Sequence, residues 1–329
     1  MKKPLALILQ ASVTAILLWL LFRDFEWTSF WRILRAMPGW FYLLSFGVML
    51  AGQLLYAYRW RLMLEALGLG IPYRTVVEQY VVGIFFNNFL PSTMGGDWAK
   101  VYYLGRTEGY VRVGASVLVD RLLGIFLLSS MAVVLFWTRP VTDDNLIAAR
   151  SMLTGIWLLL AAGFAMVLLL PVGLWLQQRL TKWRRIERQI DSLRRLADHI
   201  TDVARQPRVI AGSSAAVVIY FMMLGVVYQQ FIALTTGIVP GLLAVTAAVT
   251  AIATLSNVPI AVNGLGLREQ LHLALLAGFA LSREAAAGIS LLLFGHLLLI
   301  SAIGALLWLR GPATGPGSVR PVHPEAAQT

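Results

Sequence analysis

Two stretches of this chain set polar and helix-breaking residues inside long apolar sequence, where a simple membrane span would be apolar throughout. The first reads Asn87-Asn88-Phe89-Leu90-Pro91-Ser92-Thr93-Met94-Gly95-Gly96-Asp97. The second reads Asn257-Val258-Pro259-Ile260-Ala261-Val262-Asn263-Gly264-Leu265-Gly266-Leu267-Arg268-Glu269. Each runs Asn, Pro, a pair of glycines, then charge, and the two lie in opposite halves of the protein. In hydrocarbon an unpaired backbone N–H or C=O is so costly that such breaks persist only where protein or water surrounds them. Gly/Pro-interrupted segments at corresponding places in two halves point to a transporter's binding site.

The rest of the chain defines the solvent. Only 13% of residues are charged and 58% are hydrophobic, whereas a soluble domain carries about 25% charged residues. This is the composition of an integral membrane protein. The chain has no cysteine, which excludes disulfides, thiolate metal sites and cysteine nucleophiles. A formal charge of +11 would suit nucleic acid, but membrane proteins gather Lys and Arg in cytoplasmic loops. No basic-aromatic RNA motif accompanies it, so no nucleic-acid partner is expected. Gly-x-Ser-x-Gly, a Walker loop and His-Glu-x-x-His are all missing. The expectation is therefore a protein without catalytic residues, metal or cofactor.

Six segments approach the roughly 20 apolar residues a crossing needs: 5–22, 40–58, 115–137, 153–176, 209–236 and 285–309. The first follows Met1-Lys2-Lys3 but exceeds the ~7–15 residues of a secretory core and has no clear cleavage site. It reads as an uncleaved span. The broken motifs lie between these spans, in regions 75–106 and 242–281. Loop 177–208 holds nine basic residues against four acidic ones, which places it in the cytoplasm. Counting spans backwards from there puts 97–114 inside. Counting forwards from Lys2 and Lys3 puts the Arg59-Trp60-Arg61 end of the second span inside as well. Both ends of region 75–106 then face the cytoplasm, so it must enter and return. By the same parity region 242–281 dips from outside, and the last span runs inward to Arg310 and Arg320. The predicted fold is all-α and polytopic: about six full spans plus two re-entrant helical hairpins in an inverted-topology repeat. In the competing arrangement 242–262 is a plain span and the C-terminus lies outside.

One transmembrane domain, 1–310, is expected. Within it, 180–203 carries Leu180, Trp183, Ile186, Ile190, Leu193, Leu196, Ile200 and Val203 at helical spacing. That is an amphipathic helix with a basic face, suited either to the anionic inner leaflet or to an ordinary solvated loop. Residues 311–329 have the composition of a disordered tail.

Broken helices expose N-terminal N–H groups that attract anions. A half-helix beginning near Gly264 and Gly266 would aim such an end at a phosphate, and Arg268 could add a bidentate, charge-assisted contact. The counterpart after Gly95-Gly96 brings Asp97, a good helix-capping residue, and then Lys100. Asn87, Asn88, Ser92, Thr93, Asn257 and Asn263 can solvate a headgroup or satisfy the interrupted backbone. Asp120-Arg121 sits within an apolar span, where charged residues usually face a partner or a cavity. The pair could bridge to other helices or lie at the interface with Arg121 reaching out. His296 in the last span could couple to protons, although a helix–helix hydrogen bond is the commoner role. Arg59 and Arg61 are explained by the cytoplasmic excess of positive charge.

At these motifs the chain resembles the flippase-like membrane domain of lysylphosphatidylglycerol synthases. The resembling residues are Asn88-Phe-Leu-Pro-Ser-Thr-Met-Gly-Gly-Asp97 with Lys100 and Arg106, Ser116-Val-Leu-Val-Asp-Arg121 with Gly124, and Pro259 followed by Gly264-Leu-Gly-Leu-Arg-Glu269. The resemblance covers about 5–310. It implies a protein of the bacterial or archaeal cell (inner) membrane that moves phospholipid or polyprenyl-phosphate-linked substrates between leaflets. In the synthases an aminoacyl-transferase domain follows this region, and that activity is not expected here. The substrate-binding set is expected to include Asn87, Asn88, Pro91, Ser92, Thr93, Gly95, Gly96, Asp97, Lys100, Arg106, Asp120, Arg121, Asn257, Pro259, Asn263, Gly264, Gly266, Arg268 and Glu269. The alternative is a non-catalytic membrane partner of a separately encoded lipid-modifying enzyme. A third reading is an enzyme using Asp97 or Glu269 as base.

Overall fold

The computed structural model describes residues 2–89, 95–138, 144–180, 198–199, 201–203, 205–257 and 264–311. Among these the regular structure is entirely helical. The helices are α1 (Lys2–Phe22), α2 (Trp27–Ala36), α3 (Gly39–Ala66), α4 (Tyr73–Phe89), α5 (Gly95–Glu108) and α6 (Tyr110–Trp137), followed by α7 (Asp144–Leu180), α8 (Pro207–Thr236), α9 (Leu242–Ser256), α10 (Leu267–Leu276) and α11 (Arg283–Leu309). Their ends follow from local chemistry. Pro207 opens α8, where its missing N–H costs nothing. Gly237 closes α8 in the left-handed conformation, φ 73°. Ser282 caps α11 by accepting from the Ala285 N–H at 3.1 Å.

Four helices, α3, α6, α8 and α11, are long and apolar enough to cross a membrane. Two other predicted spans lie in α1 and α7, whose described apolar stretches are Ser12–Phe22 and Ile147–Gly163. The chain is thus a polytopic helical membrane protein. Most of the amphipathic segment, 181–197, and the tail from 312 onward lie outside the described residues. The sequence reading missed α2. It presents Trp27 and Trp31 outward and buries Phe30, which joins Phe25 and Trp27 in an aromatic cluster with centroids 4.9–5.9 Å apart. Trp27, Phe30, Ile33 and Leu34 recur at helical spacing, so the signal was present in a segment taken for a loop.

The two broken regions become pairs of short helices, α4–α5 and α9–α10, each too short to repeat the length of α3 or α8. Each pair folds back on itself. At the first, the α4 and α5 backbones touch: a Cβ on Gly96 would stand 2.0 Å from the Gly83 carbonyl oxygen.

The packing partners repeat between halves. α3 lies on α8, joining the first long helix of each half. α4 of the first hairpin packs against α11, and α9 of the second packs against α6. Each hairpin therefore rests on the long helix that directly follows the other hairpin. Phe41 on α3 and Phe231 on α8, both fully buried, meet at 5.8 Å in the shared apolar core. α1 stands beside the second hairpin. Gln270 donates to the Leu17 carbonyl at 3.1 Å, and a Cβ on Gly266 would meet the Leu17 side chain at 2.7 Å.

Candidate functional site

Helical spacing puts Tyr56 and Arg59 on one face of α3, and Asp120 and Gly124 on one face of α6. These faces meet both hairpins around a cavity of about 470 Å³. The first hairpin contributes Tyr80, Asn87, Asp97 and Lys100. The second contributes Ser256, Asn257, Gly264 and Arg268.

Ion pairs organise the walls. The Arg59 Nε donates to Asp120 Oδ1 at 2.8 Å, and Nη2 reaches the Asp120 carbonyl at 3.3 Å. The guanidinium also covers the Tyr56 ring at 4.7 Å. It fits only because residue 124 is glycine; a Cβ there would lie 2.7 Å from both terminal nitrogens. One helical step on, Arg121 Nη1 donates to Asp97 Oδ2 at 2.7 Å, linking α6 to the first hairpin. Lys100 Nζ stands 3.6 Å from Asp97 Oδ1 and 4.1 Å from the Tyr80 ring centroid. The adjacent pair Asp120-Arg121 thus bridges two different elements.

On the second hairpin, Arg268 Nη2 and Nε donate to Glu269 Oε1 at 2.6 and 3.0 Å. The Ser290 hydroxyl of α11 donates to the same oxygen at 3.1 Å. Glu269 is only 1% exposed, and its other oxygen accepts the Gly266 N–H at 2.7 Å. The Gly96 N–H likewise donates to Asn87 Oδ1 at 2.7 Å. An amide at each half-helix start is therefore occupied by a side chain of the same hairpin. This differs from the expected helix-end anion site, and cationic side chains become the groups that can receive an anion. Four of them, Arg59, Lys100, Arg121 and Arg268, line the cavity against two carboxylates, Asp97 and Asp120. Arg59 and Lys100 are buried, while the Arg121 and Arg268 side chains are 30% and 23% exposed. Arg121 and Arg268 are the reachable charges.

Behind Arg268, the Tyr228 hydroxyl lies 2.6 Å from His272 Nε2, and His272 Nδ1 lies 2.7 Å from the Arg268 carbonyl oxygen. A carbonyl only accepts, so Nδ1 carries the proton and, in the neutral ring, Nε2 accepts from Tyr228. This pins the first turn of α10 to α8. His296, the histidine singled out from sequence, is buried against Phe46 at 5.6 Å and is not on the cavity wall.

The structure brings together Asn87, Asp97, Lys100, Asp120, Arg121, Asn257, Gly264 and Arg268 of the predicted set. Gly96, Gly266 and Glu269 shape the wall from behind. Gly95 is buried, and Asn88 lies in the last turn of α4 off the wall. Arg106 is not part of the site; it sits on the exposed face of α5 with its guanidinium 4.0 Å from the Tyr102 ring. Pro91, Ser92, Thr93, Pro259 and Asn263 lie outside the described residues. Arg59 was missed because the cytoplasmic excess of positive charge already explained it. The available signal was an opposite charge, Asp120, in another apolar span. Among the described residues no group of three or more metal-ligating side chains exists.

A family profile described as "Lysylphosphatidylglycerol synthase TM region" matches residues 7–304. A UPF0104 membrane protein, PH1989, of Pyrococcus horikoshii is 30% identical over 132 residues, which are 38% of this chain and 37% of that protein. The match thus spans little more than a third of that relative's length. No solved structure matches the chain.

Proposed function

Because the chain belongs to the family of lysylphosphatidylglycerol synthase TM regions, we propose that it carries an anionic amphiphile across the cell membrane, with the phosphate received between its two hairpins. The observation that carries this reading is the joint cavity: both broken motifs and the α6 charge pair meet there, with more cations than carboxylates. A phosphate entering it would exchange the Arg268–Glu269 and Arg121–Asp97 contacts for charge-assisted bonds of its own, which for guanidinium groups can be bidentate. Asn87, Ser256 and Asn257 would receive hydroxyl or ester oxygens. In this reading the first hairpin enters the bilayer and returns from the cytoplasm, the second does so from outside, and the protein has no catalytic chemistry of its own. The substrate is a phospholipid or a polyprenyl-phosphate derivative.

Reconstitution tests it. Purified protein in liposomes with a headgroup-labelled anionic lipid is expected to equilibrate label between leaflets without any partner. A covalently altered lipid would point to an enzyme. Absence of exchange until a second protein is added would point to a scaffold for a lipid-modifying partner.

A further inference from the structure

The α4–α5 hairpin borders a second cavity, of about 190 Å³, which shares no residue with the first. It lies between the first turns of α4, the second half of α5 and the end of α11. Arg74, Glu78, Gln79, Tyr103, Trp308 and Arg310 line it. At about 30 Å³ per water it would hold roughly six waters, enough for a phosphate and a short polar group.

Its roof is closed. A Cβ on Gly304 of α11 would stand 2.3 Å from the Val81 carbonyl of α4, so the two backbones touch there. Beneath that contact the Trp308 indole donates to the Tyr103 hydroxyl at 2.6 Å and stacks on Phe85 with centroids 6.1 Å apart. Nothing bound in this cavity can continue between α4 and α11. The cavity is closed on that side by the α4–α11 contact.

Its chemistry is that of a headgroup. Arg74 and Arg310 outweigh Glu78. Arg74 pairs with Glu78 at 3.0 Å, but its side chain is 91% exposed, so that pair is weak and free to re-form on a ligand. Arg310 is exposed and makes no ion pair among the described residues. Gln79 is 5% exposed, and among the described residues its amide oxygen has no hydrogen-bond partner. Such a group carries an unrecovered desolvation cost. Gln79 lines the cavity, and a ligand's hydroxyl or ammonium is the kind of donor that this oxygen lacks. Tyr and Trp beside Arg are the residues of the membrane–water boundary.

We propose that this cavity holds one anionic glycerophospholipid that is not transported. Arg74 and Arg310 take its phosphate, Gln79 takes a donor of its polar group, and Trp308 borders its glycerol backbone. The lipid ties the first hairpin to the last helix of the other half. This assignment does not depend on transport through the larger cavity.

The test is native mass spectrometry of the full chain in neutral detergent, titrated with short-chain phosphatidylglycerol. The Arg268→Ala background removes the main phosphate contact in the larger cavity. One lipid is expected to remain bound in that background, in the smaller cavity. Arg74→Gln/Arg310→Gln should weaken that binding at least tenfold while leaving the lipid-free melting temperature unchanged, since both arginines are exposed. Gln79→Leu should remove the preference for phosphatidylglycerol over phosphatidic acid, which lacks the glycerol donor. Affinity unchanged in the double-arginine variant would overturn the proposal. So would inorganic phosphate alone occupying the site and displacing the lipid at equal concentration, because the site would then be one for free phosphate.

Discussion

Arg268→Ala is expected to reduce lipid exchange in reconstituted vesicles to the rate of protein-free vesicles. Its guanidinium is the reachable charge of the second hairpin, and a hydrogen bond to a charged group contributes about 1.5–3 kcal/mol. That corresponds to roughly a tenfold to hundredfold loss of affinity for a phosphate. The same substitution leaves the buried Glu269 carboxylate without its cation, held by the Gly266 N–H, its own N–H and the Ser290 hydroxyl. A lower melting temperature is therefore expected as well, because an uncompensated buried charge is strongly unfavourable. Arg268→Ala/Glu269→Gln separates the two effects. The neutral amide removes the stranded charge, so thermal stability should largely return while exchange stays at background. Wild-type exchange in that double variant would remove Arg268 from the binding site.

The second large effect concerns stability. Asp120→Ala strands Arg59, which is 6% exposed and enclosed by α3, α6 and the Tyr56 ring. Breaking one member of a buried pair costs about 3–5 kcal/mol, measurable as a shift of the unfolding midpoint in a fixed detergent. Replacing both partners with apolar residues, Arg59→Met/Asp120→Leu, should recover most of that loss, since such swaps are often neutral in stability. A loss below about 1 kcal/mol for Asp120→Ala, the size typical of solvated pairs, would mean that the pair is hydrated and not buried in the sense used here.

Much of the site was legible because charge and helix breakers are conspicuous in apolar sequence. Asp120-Arg121 and the two Asn/Pro/Gly-Gly motifs stand out against spans that tolerate little polarity, and a hydrocarbon environment leaves them few roles. Their convergence in one cavity was foreshadowed by their repetition in opposite halves. What escaped has equally physical causes. Arg59 looked like ordinary cytoplasmic charge. Tyr56 and Tyr80, which support the Arg59 and Lys100 cations, carry no charge and break no helix, so they do not stand out in apolar sequence. Glu269 stands three residues after Gly266, the spacing of a capping box, and its acceptance of the Gly266 N–H turns an expected anion-binding helix end into an occupied one. His272 lies in the second turn of α10 and gains its contact with Tyr228 only through packing of α8 on the second hairpin, so His296 drew the attention instead. The helix α2 was periodic but short, and a short amphipathic stretch between two spans is easily taken for a loop.

The transport reading requires that each hairpin enter and leave from one side, and that the two use opposite sides. The direct measurement is labelling of single cysteines at the hairpin feet, in sealed vesicles of known orientation, by a membrane-impermeant thiol reagent. The chain has no cysteine of its own, so each signal comes from one position. Gly70→Cys and Thr107→Cys flank the first hairpin, Val239→Cys and Gly278→Cys flank the second, and all four positions are exposed. The account predicts labelling of Gly70→Cys and Thr107→Cys only from the cytoplasmic side, and of Val239→Cys and Gly278→Cys only from the outer side. Labelling of the two feet of either hairpin from opposite sides would show a complete crossing and contradict it.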